Sequence, residues 1–79
     1  MHLEAAGNTV VPAILLIRQM GYTFTFDKEK SHCLAEKDGI SFGAEDPVMV
    51  LGLIKLFEMK GENWRASDDE IEKVLKEFD

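Results

Sequence analysis

Hydrophobic positions recur every three or four residues from Val10 to Met20, alternate with polar ones from Tyr22 to Ala44, and return to the longer period from Pro47 onward. Those periods are the signatures of helix, strand and helix. The first run reads as a helix capped by Asn8 or Thr9 and stopped by Gly21, with Pro12 tolerated in the first turn or just before it. On a helical wheel Val10, Ala13, Leu16, Ile17 and Met20 form the side expected to face the core, while Val11, Ile14 and Leu15 group around Arg18 on the other. A contiguous aliphatic strip of that kind marks an interface or cover by a further element.

Tyr22, Phe24 and Phe26 alternate with Thr23 and Thr25, which predicts a strand with one aromatic face. After the charged connection Asp27 to Ser31, a second strand is expected over His32 to Lys37 and a third over Ile40 to Ala44. Asp38-Gly39 between them is the signal of a two-residue hairpin turn, since both central positions need positive φ. Such a turn sets Lys37 against Ile40, Ala35 against Phe42 and Cys33 against Ala44. The resulting meander turns Tyr22, Phe24, Phe26, Cys33, Ala35, Ile40 and Phe42 toward the helices, and Thr23, Thr25, Leu34, Glu36 and Ser41 toward solvent.

Glu45 to Trp64 is the most apolar stretch and is expected to be the central helix. Asp46 can cap it, Pro47 suits its first position, Lys60 places a cation in its last turn, and Gly61 can turn left-handed beyond its end. Met49, Val50, Leu53, Ile54, Leu56 and Phe57 cover more than half its circumference, Leu51 shares a narrow side with Lys55 and Glu58, and Val48, Gly52 and Met59 form a smaller strip. Core packing explains most of this excess; the sharper reading is that the helix also meets a partner. Trp64 is expected to fold back as a lid between the last two helices. The final helix starts at a capping box, Ser67 with Glu70, and its stripe of Ile71, Val74, Leu75 and Phe78 is expected to pack on the body.

The order is therefore α-β-β-β-α-α. It defines an α+β fold of two layers, a three-stranded antiparallel meander with helices on one face. With 79 residues the chain reads as one small domain, residues 1–7 forming a flexible leader. No apolar run approaches the roughly 20 residues needed to span a bilayer, and the N-terminus lacks the basic stretch of a secretory signal. One cysteine, Cys33, excludes an internal disulfide, so a cytoplasmic setting is expected. The net charge of −6 disfavours nucleic acid and anionic membrane as partners, and Lys28, Lys30 and Lys37 are offset by Asp27, Glu29, Glu36 and Asp38.

Candidate chemistry is sparse. His32 and Cys33 are neighbours on a strand, so their side chains diverge and cannot act on one atom. One cysteine and two histidines are too few for a zinc site. Glu45-Asp46 and Asp68-Asp69-Glu70 sit at helix starts, where capping alone explains carboxylates, and Gly7-Asn8-Thr9 carries only a weak anion-site signal. No catalytic residue, metal or cofactor is expected. The reading that remains is a small acidic, non-catalytic interaction or regulatory module. It is expected to bind a protein partner or a second copy of itself through Val11, Ile14 and Leu15 of the first helix with Val48 and Met59 of the central one. The alternative is a small-ligand-binding protein or minor enzyme with a pocket between the aromatic sheet face and the central helix, Tyr22 or His32 supplying polar contacts.

Overall fold

A computed structural model describes residues 1–79. A 3-10 turn at Gly7–Thr9 leads into α1 (Val10–Gln19), followed by β1 (Thr23–Asp27), β2 (His32–Lys37), β3 (Ile40–Ala44) and α2 (Pro47–Lys60). A second 3-10 turn at Gly61–Asn63 precedes α3 (Asp68–Lys76). The element order and the α+β class match those read from the hydrophobic pattern.

The hairpin fixes the sheet. Asp38 and Gly39 adopt φ of 50° and 80°, both positive, which is the turn whose twist matches the flanking strands. Lys37 therefore faces Ile40, Ala35 faces Phe42 and Cys33 faces Ala44, and β1 pairs antiparallel along the other edge of β2, with Phe24 opposite Ala35 and Phe26 opposite Cys33. On the outer face His32 lies against Gly43, where an added Cβ would come within 2.6 Å of the imidazole Nε2. A glycine there gives the ring its place.

The central helix begins as its sequence dictates, with the Asp46 carboxylate accepting the Met49 N–H at 2.9 Å and Pro47 in the first turn. The first helix does not. Thr9 has helical backbone angles and makes no side-chain cap; its hydroxyl donates to the Ala6 carbonyl at 2.7 Å, because the 3-10 turn runs directly into α1. Tyr22 likewise falls outside β1, since its N–H still closes α1 by donating to the Ile17 carbonyl at 3.2 Å. Lys37 then ties the sheet to that helix end. Its ammonium donates to the Met20 carbonyl at 2.9 Å and lies 5.3 Å from the centre of the Tyr22 ring, a cation at the negative end of the helix.

The core is small: Ala13 and Ile17 of α1, Cys33 and Ala35 of β2, and Val50 and Ile54 of α2, ringed by half-buried Met20, Tyr22, Phe24, Phe42, Ala44 and Leu51. Two helix faces differ from expectation. Val10 and Leu16 are exposed, while Ile14 is half-buried beside Phe24, Phe26 and Cys33, so the covered line of α1 is turned toward β1. Leu51 is half-buried against the core, where it joins Val50 and Ile54, instead of sharing an exposed side with Lys55.

The larger departure is α3. Its capping box forms as expected, the Glu70 N–H donating to the Ser67 hydroxyl at 3.2 Å and the Ser67 N–H to the Glu70 carboxylate at 2.8 Å. Yet its stripe packs on nothing: Ile71 and Val74 are exposed, Leu75 keeps 60% of its surface and Phe78 79%. The chain leaves α2 at Gly61, whose φ of 64° turns it sharply, and Ser67 is extended, so α3 is directed away from the helical layer. Only α1 and α2 cover the sheet.

Candidate functional site

A chain of 8.9 kDa folded compactly leaves about 4,800 Å² accessible, whereas this one leaves 6649 Å². Its radius of gyration, 14.7 Å, likewise exceeds the roughly 12 Å of a compact chain of this length. Residues 1–6 account for part of the difference, and the apolar groups of α1, α2 and α3 for much of the rest. Only seven of the 79 residues are buried. The candidate site is this uncovered apolar surface.

One concave part of it is a groove of about 300 Å³ between β3 and α2, walled by Ile40, Phe42, Leu53, Leu56, Phe57 and Trp64. The sheet contributes Phe42, whose ring stands edge-on to Tyr22 at 5.9 Å and to Phe57 at 5.8 Å. The linker contributes Trp64, which carries Arg65 at 4.5 Å over its ring. Trp64 thus borders β3 and α2 and does not lie between α2 and α3. Ser41 is the one polar residue at the lining, and its place between Ile40 and Phe42 on β3 turns its hydroxyl to the opposite face of the sheet. The walls of the cleft are thus almost wholly aliphatic and aromatic.

The five interface residues named from sequence are dispersed. Val11 and Leu15 stand one turn apart on the outward side of α1, both exposed. Ile14 turns toward Phe24 and Phe26. Val48 is half-buried at the start of α2 beside Val10, and Met59, 70% exposed, lies near that helix's far end, three turns away. The groove lies where the alternative reading of the sequence expected a pocket, between the aromatic face of the sheet and the central helix, but Tyr22 and His32 are not among its lining residues. An α2 apolar over more than half its circumference has more to cover than one sheet face and one neighbouring helix can supply.

The chemical candidates also separate. Cys33 is buried, its Sγ 3.8 Å from the Glu45 carbonyl as a weak donor, while His32 projects from the opposite side of the sheet. Burial, and secondarily the negative charge of Asp46, pushes the Cys33 thiol above its ordinary range. The folded chain therefore favours the protonated thiol, a contribution fully present below the ordinary thiol range and lost as the pH rises through the raised value. Alkylation at about pH 8, followed by mass, is expected to leave Cys33 unmodified in buffer and to complete in denaturant. Reaction at the unfolded rate in buffer would show the thiol to be accessible. No three or more His, Cys, Asp and Glu side chains come together as a metal site would need.

Fold and site together define a small α+β module whose distinguishing feature is apolar surface left open on its helices. No helix is long and apolar enough to cross a membrane. No family model matches the chain, and no similar protein was found among curated proteins or solved structures.

Proposed function

We propose that this protein is an acidic, non-catalytic interaction module that works through protein contacts and associates with itself. One observation carries this reading: its accessible surface exceeds that of a compact chain by roughly 1,800 Å², of which residues 1–6 supply a part and exposed apolar groups of the helices another, whereas one partner in a standard interface covers about 800 Å². A second copy covers that surface without requiring any other protein. Val11 and Leu15 add an outer patch on α1 suited to a rim contact. A cytoplasmic setting fits a chain whose single thiol is unpaired.

A small-ligand reading draws on the same groove. Tyr22 and His32, the polar contacts it would use, are not in the lining, and Ser41 alone does little to orient a ligand.

The test is sedimentation over a concentration series. A dimer mass is expected at micromolar concentration, and the dissociation constant should fall as salt is raised, because two chains of charge −6 repel each other and salt screens that repulsion. A single species of monomer mass up to high micromolar concentration would overturn the reading.

A further inference from the structure

We propose that α3 is an exchange arm: its stripe of Ile71, Val74, Leu75 and Phe78 seats in the groove between β3 and α2 of a second copy, whose own α3 seats in this one. The proposal rests on the self-association reading and names the surfaces that perform it. Stripe and groove match in kind. The stripe has the i, i+3, i+4, i+7 spacing by which an amphipathic helix fills an apolar cleft, and the groove is lined by aliphatic and aromatic side chains. With the stripe seated, Glu72, Lys73, Lys76 and Glu77 stay in solvent, and the Glu72–Lys76 pair, 3.5 Å apart and exposed, is undisturbed.

α3 is not seated in its own groove. Trp64 already borders that groove, with Arg65 stacked on it, and α3 begins at Asp68. Arg65 to Ser67 can extend about 10 Å, and in this structure that reach carries α3 away from the cleft and leaves its stripe open. A second copy's α3 has no such tether. Short hinges of this kind favour exchange between identical chains, and reciprocal seating closes the assembly as a two-fold dimer with no arm left over. The surface open on each chain exceeds what such an interface needs.

Disulfide trapping in the full chain tests this directly. Chains carrying Leu56→Cys are mixed with chains carrying Leu75→Cys and oxidised, and a covalent heterodimer is expected. In parallel, Leu75→Asp is expected to raise the dissociation constant on the order of a hundredfold or more, since each dimer then loses two buried leucines and gains two charges. The circular dichroism of the body should persist, because Leu75 is exposed and outside the core. A wild-type dimer that survives Leu75→Asp and yields no heterodimer would overturn arm exchange while leaving self-association standing. A double variant, Leu56→Cys with Leu75→Cys in one chain, that links internally as a monomer would show closure on its own groove and overturn exchange as well. A wild-type chain that stays monomeric would remove the reading beneath the proposal.

Discussion

Replacing Ile17 by alanine is expected to lower the folding free energy by about 3 kcal/mol, the usual loss when a fully buried isoleucine leaves a cavity. The effect is large relative to the whole, since a chain of 79 residues holds roughly 4–12 kcal/mol in all. Ile17 is the α1 residue that joins Cys33, Ala35, Val50 and Ile54 in one cluster, so its removal separates α1 from both strand and helix partners. Urea unfolding followed by circular dichroism measures it. Leu15, two positions away and 58% exposed, is the control, and Leu15→Asp should leave the midpoint nearly unchanged. If the two variants unfold together, the covered line of α1 is not the one described.

Truncating Phe42 is expected to cost a similar amount for a different reason. Phe42 is only half-buried, but its ring is the middle member of an aromatic row that runs from Tyr22 to Phe57 and joins the end of α1 to α2 through β3. Phe42→Ala removes both edge-on contacts together with the burial, about 3 kcal/mol. Phe42→Leu should restore most of the stability by refilling volume without restoring the ring contacts. The same substitution removes one wall of the groove, so Phe42→Leu is also expected to weaken self-association while keeping the fold. Chemical denaturation and sedimentation of the two variants separate these effects; a midpoint unchanged by Phe42→Ala would show that the row contributes nothing.

The elements whose ends carry strong local chemistry were legible in the sequence. Asp46-Pro47 and Gly61 bound α2, Asp38-Gly39 sets the register of β2 and β3, and Ser67 with Glu70 starts α3, because each depends on hydrogen bonds or backbone angles available within a few residues. At the start of α1 the position was legible, Thr9 preceding Val10, but not the chemistry, since the Thr9 hydroxyl is occupied by the preceding turn through the Ala6 carbonyl and caps nothing. Which faces are covered was only partly legible. A wheel gives the apolar side of α1 but not the angle at which it crosses the sheet, and that angle decides that Ile14 is sheltered and Leu16 is not. For α3 the stripe itself was clear, and the expectation that it packs on its own body came from assuming that every amphipathic helix finds its cover within the chain. Whether it does depends on the direction set at Gly61 and on the short reach from Trp64 to Asp68, neither of which a hydrophobic period encodes.

The order of the sheet has a kinetic consequence. Its strands pair in the sequence in which they occur, β1 with β2 and β2 with β3, so each pairing closes a loop of only a few residues. Nascent chains of such local topology fold rapidly, with the Asp38-Gly39 hairpin able to form before any distant contact is made. Core formation is then a first-order event complete within one molecule, whereas meeting a second molecule is second-order and slower at cellular dilution. Under the proposed self-association the two steps separate in time, and every newly made copy passes through an interval as a folded but solitary chain.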